Sequence, residues 1–162
     1  MCASSADDPP VRPVSGDPVR VRPLAPGDEA AWRGLWRGYL AFYRTELPEA
    51  VYAESFRRLN DAAVTDYHGM VAEKGGRPVG LVHYIYHRHG WQIADACYLQ
   101  DLYVVEAARG AGAGRALIEA VYEAADAAGC PSVYWLTQAE NAPARLLYDR
   151  LAKVTTFIKY SR

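Results

Sequence analysis

The sequence predicts a single α/β domain over residues 19–162, built on a mixed, mostly antiparallel β-sheet with helices on both faces. Strand-like and helix-like segments follow in the order β-α-α-β-β-β-α-β-α-β, with a hairpin among the central strands and helical crossovers later. The 162 residues are 51% hydrophobic and 23% charged, the composition of a folded domain. A chain of this length can bury a core without disulfides or metal.

The first segments predict one strand and two helices. Residues 19–24 alternate apolar and basic side chains, which is the period of a half-buried strand. Asp28 is expected to cap the first helix, and a second helix follows Pro48 and ends near Asn60. The first helix has an apolar face at spacings of three and four residues: Trp32, Leu35, Trp36, Tyr39, Leu40 and Tyr43. Residues 1–18 are rich in proline, aspartate and serine and predict a disordered tail.

The central segments predict three antiparallel strands. Residues 68–73, 78–86 and 96–105 are rich in aromatic and β-branched side chains. The pair Gly75-Gly76 lies between the first two of these segments and is typical of a hairpin turn.

The last segments predict a helix, a strand, a second helix and a final strand. An alanine-lined helix begins near Ala113 and ends at Gly129, because a glycine suits the position after a helix. Residues 132–137 predict a strand, and a helix with a proline in its first turn begins at Asn141. Residues 154–160 predict the strand that completes the sheet.

Charge, apolar runs and cysteine content exclude several classes of function. Eighteen basic and nineteen acidic residues give a net charge of -1, which offers no general attraction to nucleic acid or anionic lipid. The longest uncharged run, residues 127–139, contains Gly129 and Pro131 and is too short to span a membrane. Three scattered cysteines without zinc-ligand spacing predict reduced thiols, a cytoplasmic protein and no metal site.

A glycine-rich turn at residues 109–115 joins the last central strand to the alanine-lined helix. Glycines let backbone N–H groups approach a phosphate, the start of a helix adds positive potential, and two arginines flank the turn. A P-loop is excluded because Arg115 follows Gly114, and the dinucleotide fingerprint because one residue separates Gly112 from Gly114. The turn therefore indicates a different phosphate-bearing ligand, or else a conformation that requires glycine for itself.

The spacing of Arg109, Gly112 and Gly114 resembles the acetyl-coenzyme A signature of the GNAT superfamily of N-acetyltransferases. Residues 141–148, which open with asparagine and end with tyrosine, are similar to the helix that follows in this family. Residues 98–104 resemble a strand of the branch that contains diamine, polyamine, thialysine and histone-acetyltransferase-like enzymes. The resemblance implies a GNAT fold, acetyl-CoA as cosubstrate, no metal and a homodimer.

The resemblance also implies how acetyl-CoA would bind. Backbone N–H groups of the glycine-rich turn would hold the pyrophosphate, and the pantetheine arm would pair with the preceding strand like an additional strand. The residues so implied are Leu102, Tyr103, Val104, Arg109, Gly110, Ala111, Gly112, Ala113, Gly114, Arg115, Asn141 and Ala144.

Two proton transfers are implied, one to the departing thiolate and one from the amine. Tyr148 matches the general acid of the family, although a tyrosine beside leucines on a helix can also be a core residue. Gln100 stands where the related branch usually carries glutamate, and glutamine cannot accept a proton near neutral pH. Asp101 is the neighbouring candidate base, but adjacent strand residues point to opposite faces, so a structural role for it is an equal alternative. We therefore expect proton removal to be mediated by water, or to start from an already neutral amine, with only a weak dependence on one side chain.

The acceptor is expected to be a small-molecule amine or a peptide lysine, bound in part by Tyr43 and Gln100. Arg44 lies where the polyamine enzymes tend to have an acidic residue, and its charge would repel a polycation. A non-catalytic acyl-CoA-sensing module is the alternative to an enzyme.

Overall fold

A five-stranded β-sheet forms the centre of the computed structural model, which describes residues 17–162. The strands are β1 (Arg20–Pro23), β2 (Tyr67–Lys74), β3 (Arg77–His87), β4 (Ala96–Val104) and β5 (Ser132–Trp135). The helices are α1 (Glu29–Phe42), α2 (Glu49–Leu59), α3 (Ala113–Ala127) and α4 (Ala142–Tyr148). The strands lie in chain order; the first four are antiparallel and β5 is parallel to β4. The predicted mixed, mostly antiparallel sheet is confirmed.

The two faces of the sheet carry different helices, as predicted. One face packs against α1 and α2, where Trp32, Trp36 and Phe56 form an aromatic cluster with Leu81 of β3. The other face packs against α3, whose buried side chains contact Val82, the next residue of β3. Alternate side chains of β3 therefore enter two separate cores, as the pleat of a strand requires.

Local signals place several boundaries correctly. Gly75 and Gly76 adopt positive φ angles of 57° and 71° in the β2–β3 turn, and Gly129 adopts 68° just beyond α3. Asp28 directly precedes α1, but its carboxylate does not cap the helix. It accepts hydrogen bonds from the guanidinium of Arg22 on β1 at 2.6 and 2.8 Å and so ties the start of α1 to the sheet.

A β-bulge interrupts β4 at Gln100. Asp101 pairs with His83 of β3 and Leu99 pairs with the next residue, Tyr84, so Gln100 has no partner in β3. In a regular strand Leu99 and Asp101 would point to the same face. The extra residue turns Leu99 towards α3 and Asp101 towards α1.

The predicted final strand at residues 154–160 is not formed. These residues have no regular secondary structure, and their apolar side chains are exposed: Val154 81%, Phe157 80%, Ile158 73% and Tyr160 86%. The composition suits a strand, but a strand forms only when it pairs with another, and within the described residues this segment pairs with none of the five strands. The predicted tail lies outside the described residues, except for positions 17 and 18.

Candidate active site

A cleft of about 620 Å³ lies between the end of α1, strand β4, the glycine-rich turn and α4. Its walls bring together most of the residues predicted from sequence: Tyr43, Leu102, Tyr103, Val104, Arg109, Gly110, Gly112, Ala113, Gly114, Arg115, Asn141, Ala144 and Tyr148. Ala111, Gln100 and Asp101 do not line it. Segments far apart in sequence therefore meet at one concave surface, as a ligand site requires.

The glycine-rich turn presents free backbone N–H groups to this cleft. Gly110 and Gly112 have φ angles of 76° and 88°, a region that favours glycine. The first intrahelical hydrogen bond of α3 runs from the N–H of Ala116 to the carbonyl oxygen of Gly112 at 2.9 Å. The N–H groups of residues 113–115 therefore have no helical acceptor and point out of the helix start. Such a group of donors suits a phosphate or pyrophosphate.

The two arginines of the turn are held differently. Arg109 donates from Nε to the carbonyl oxygen of Val104 at 3.1 Å, which fixes the turn against the end of β4. Arg115 lies in the first turn of α3 and makes an exposed contact with Glu119 at 3.2 Å. An exposed ion pair of this kind is weak, so the Arg115 guanidinium is available to an anion.

Strands β4 and β5 separate beside the cleft. Their pairing runs from Ala96–Ser132 to Leu99–Trp135 and ends there. Beyond that point, residues 102–104 of β4 pair with β3 on one side, and β5 does not reach their other side. An open strand edge of this kind offers backbone donors and acceptors to an extended ligand that carries amide groups. The turn and this edge together fit the pyrophosphate and pantetheine of an acyl-CoA.

Tyr148 lies at the end of α4 and lines the cleft. Its ring packs edge-on against Trp135, with 5.4 Å between centroids. Burial chiefly, with a smaller effect of nearby Tyr43, raises the pKa of Tyr148 to about 12. The phenol therefore keeps its proton at neutral pH and can donate it, as a general acid must.

A buried chain of hydrogen bonds joins α1, β3 and β4 beside the cleft. Trp32 donates from Nε1 to Nε2 of His83 at 2.8 Å, and Nδ1 of His83 lies 2.9 Å from Oδ2 of Asp101. His83 is fully buried and Asp101 is only 6% exposed. Sequence reasoning missed His83, although a polar side chain two residues after buried Leu81, on the same strand face, is a detectable signal.

Two tyrosines of the cleft wall lie near Asp101. Tyr39 and Tyr43 line the cleft, with 5.1 Å between their ring centroids. Burial, and then the charge of Asp101, raises the pKa of both phenols. Gln100 is exposed at the bulge, and Arg44, with a left-handed φ of 54°, lies outside this cleft.

Residues 17–162 contain neither a metal-binding cluster nor a membrane-spanning helix. No group of three or more histidine, cysteine, aspartate or glutamate side chains in this range could hold a metal ion. No helix in the same range is both long and apolar enough to cross a membrane.

Comparisons with known proteins agree with the geometry. The family model described as the acetyltransferase (GNAT) family matches residues 31–152. The D-amino-acid N-acetyltransferase HPA3 of Saccharomyces cerevisiae is 39% identical over 147 residues, which are 90% of this chain and 91% of the relative.

Solved structures share the fold at lower sequence identity. The aminoglycoside N-acetyltransferase AAC(6')-Iy, in complex with a bisubstrate analogue that contains CoA, superposes with a TM-score of 0.76 at 17% identity, covering 89% of this chain and 97% of the other. A ribosomal-protein-alanine N-acetyltransferase from Brucella melitensis gives 0.73 at 19% identity, with the same two coverages. Because the family model matches more than half of the chain and the yeast relative spans nearly all of it, the chain belongs to the GNAT family and is an N-acetyltransferase.

Proposed function

We propose that this protein transfers the acetyl group of acetyl-CoA directly to the primary amine of a small, amino-acid-like molecule. The observation that carries the proposal is the cleft, which joins the free N–H groups of residues 113–115 to Tyr148 and to the tyrosine-lined acceptor end. The yeast relative is named a D-amino-acid N-acetyltransferase, which favours a small amine over a peptide lysine as the acceptor.

Acetyl-CoA would bind with its pyrophosphate on the start of α3. Three unpaired N–H groups, the helix dipole and the guanidinium of Arg115 favour a negative charge at this position. The pantetheine would pair with the open edge of residues 102–104 and so lead the thioester towards Tyr148 and Tyr43. Gly112 keeps the turn in the conformation that exposes these donors.

The transfer requires two proton movements. The amine, as the neutral base, attacks the thioester carbonyl carbon; a nitrogen–carbon bond forms and the carbon–sulfur bond breaks. Tyr148 donates its proton to the departing thiolate, and the proton lost by the nitrogen moves to Asp101. Exchange with solvent restores both groups, so the net products are the amide and free coenzyme A.

A two-stage experiment tests the proposal. Thermal-shift measurements with acetyl-CoA, coenzyme A, ATP and NAD should show stabilisation by the first two alone, because a ligand that binds only the folded state raises its stability. Thiol release is then followed with D- and L-amino acids, spermidine and a lysine-containing peptide. We expect turnover with amino acids. Coenzyme A binding without thiol release from any amine would identify an acyl-CoA-sensing module instead.

We also propose that the protein is a cytoplasmic homodimer. The exposed apolar side chains of residues 154–160 would be covered if this segment packed on a second copy of the chain. Cys97 and Cys130 are buried free thiols, as expected in a reducing compartment. Sedimentation of the full chain, and of a chain that ends at residue 152, should show a dimer and a monomer respectively.

A further inference from the structure

The hydrogen-bond chain from Trp32 to Asp101 has only one arrangement of protons. An indole N–H can donate but not accept, so Nε2 of His83 must be the acceptor in the 2.8 Å contact with Trp32. An accepting Nε2 carries no proton, and the neutral ring then has its proton on Nδ1. This proton is directed at Oδ2 of Asp101, 2.9 Å away. Trp32 therefore fixes the imidazole tautomer, the one whose Nδ1–H points at the carboxylate.

Three elements that are distant in sequence contribute to this hydrogen-bond chain. Trp32 comes from α1, His83 from β3 and Asp101 from β4, and the bulge at Gln100 is what turns Asp101 towards α1. All three side chains are nearly or fully buried. A buried polar group is costly unless it is paired, so a chain of three polar side chains in an aromatic core requires a specific reason.

Asp101 lies near two tyrosines of the cleft wall, Tyr39 and Tyr43. It does not line the cleft, whereas Tyr39, on the same face of the sheet, lines the cleft and packs against the aromatic cluster that contains Trp32. Burial and the Asp101 carboxylate raise the pKa of Tyr39 well above its ordinary value. The Tyr39 hydroxyl therefore stays protonated throughout the neutral pH range, so it can act as a proton relay but not as the final proton acceptor.

We propose that Trp32 and His83 are positioning residues that hold Asp101 to receive the proton of the acceptor amine through the hydroxyl of Tyr39. The inference rests on the proposed acetyl transfer. The amine nitrogen gives its proton to the phenol oxygen of Tyr39 while the phenol gives its own proton to the carboxylate. Asp101 becomes a neutral carboxyl group, Tyr39 is unchanged, and the electron pair left on nitrogen stays in the new amide.

Neighbouring tryptophans on α1 offer a matched test. Trp32→Phe removes the N–H that His83 accepts and keeps an aromatic ring. Trp36→Phe removes an equally buried N–H that has no hydrogen-bond partner among the described residues. With acetyl-CoA and amine saturating, we expect Trp32→Phe to lower kcat about tenfold. This is smaller than the 10²–10⁴-fold effect of losing a general base, because Asp101 itself remains. Trp36→Phe should change kcat less than about twofold, and the KM for acetyl-CoA should stay constant in both. Equal kcat values for the two variants would overturn the inference.

A double-mutant cycle separates positioning from packing. Asp101→Asn keeps an oxygen that accepts from His83 but cannot take a proton, and we expect it to lower kcat about 10²-fold. If Trp32 acts through Asp101, adding Trp32→Phe to this variant changes kcat no further than Trp36→Phe does. Full additivity would show that Trp32 only supports the core and would overturn the inference. Tyr39→Phe should reproduce most of the Asp101→Asn loss.

Nitrogen-15 NMR of the imidazole gives a readout that does not depend on activity or on any variant's folding. In the wild-type protein at neutral pH, His83 should carry its proton on Nδ1 and none on Nε2; a proton on Nε2 would overturn the inference. Failure of the proposed function would be distinct, because the wild-type protein would then acetylate no amine at all while the His83 spectrum stayed as expected.

Discussion

The phenol of Tyr103 on β4 lies against Gly38 of α1: a Cβ placed on Gly38 would stand only 2.6 Å from the hydroxyl oxygen. A glycine inside a helix costs about 0.5–1 kcal/mol relative to alanine, so its presence here needs a reason. The close approach supplies one, because it lets α1 lie over β4 where both line the cleft. The shape of this part of the cleft wall therefore depends on the absence of a side chain at Gly38.

Replacing Gly38 by alanine should damage the cleft more than the fold. The new methyl group must displace the end of the Tyr103 side chain, and this ring forms part of the cleft wall. We expect the KM for acetyl-CoA to rise several-fold, as measured by thiol release. Gly34→Ala is the matched control, because a Cβ at Gly34 of the same helix meets nothing within 4 Å. It should raise the free energy of unfolding by about 0.5–1 kcal/mol without a change in KM. Equal kinetics in the two variants would contradict this account of Gly38.

The conformation of Gly112 should matter to the ligand as well as to the fold. Its φ of 88° is strained for any residue with a Cβ, so Gly112→Ala should shift the turn and misdirect the N–H groups of residues 113–115. We expect the Kd for coenzyme A, measured by calorimetry, to rise about tenfold.

Gly76→Ala in the β2–β3 turn is the matched control for strain alone. Gly76 has a φ of 71° and an equally open surrounding, but it does not line the cleft. This variant should lose about 1 kcal/mol of stability, the usual cost of such a conformation, with no change in the Kd for coenzyme A. A similar rise in Kd for both variants would mean that destabilisation, not loss of the anion site, weakens binding.

The features of the site that depend on local sequence could be predicted. The glycine-rich turn, the start of α3 and the helix that carries Tyr148 each follow from residues a few positions apart, because caps and turns are determined locally. Their assembly around one cleft followed from the family resemblance and not from spacing alone.

Features that arise from pairing between distant segments could not be predicted. The bulge at Gln100 exists only in the register between β3 and β4, and the contact of His83 with Trp32 joins residues 51 positions apart. Residues 154–160 show the opposite case: their composition favours a strand, but they pair with none of the five strands among the described residues. Propensity describes a segment, whereas a strand also requires a partner.

Acidification should weaken the link between β1 and α1. Hydrogen bonds from Arg22 chiefly, and the backbone N–H of Ala25, hold the pKa of Asp28 below its ordinary value. Because the pKa of Asp28 is lower in the folded protein than in the unfolded chain, ionised Asp28 stabilises the fold at pH values above about 4, the pKa in the unfolded chain. This stabilisation is lost as the pH falls through the pKa of Asp28 in the folded protein. Asp28→Asn should therefore cost about 1.5–3 kcal/mol at pH 7 in urea unfolding, and the difference from wild type should shrink below about pH 4.

Glu54 provides the control for this pH effect. It lies on α2 and contacts Arg57 and Arg58, which also hold its pKa below the ordinary range, but these three side chains are exposed. Because solvent screens such pairs, Glu54→Gln should leave the urea midpoint unchanged across the same pH range. A loss of stability in Glu54→Gln as large as that in Asp28→Asn would show that the partial burial of Arg22 and Asp28 does not explain the effect of their contact.

Tyr148→Phe is the decisive variant for general-acid catalysis. Because the pKa of Tyr148 is raised to about 12, the phenol is protonated throughout the working range, and its ionisation should cause no decline in the wild-type rate between pH 7 and 10. Loss of the hydroxyl should lower kcat about 10²-fold with little change in the Kd for coenzyme A. Tyr122→Phe removes a hydroxyl that donates to the carbonyl oxygen of Leu151 at 3.1 Å, outside the cleft, and should cost about 1 kcal/mol of stability with normal kcat. Wild-type turnover with an unchanged pH dependence in Tyr148→Phe would remove Tyr148 from the mechanism and leave the thiolate to depart without a protein acid.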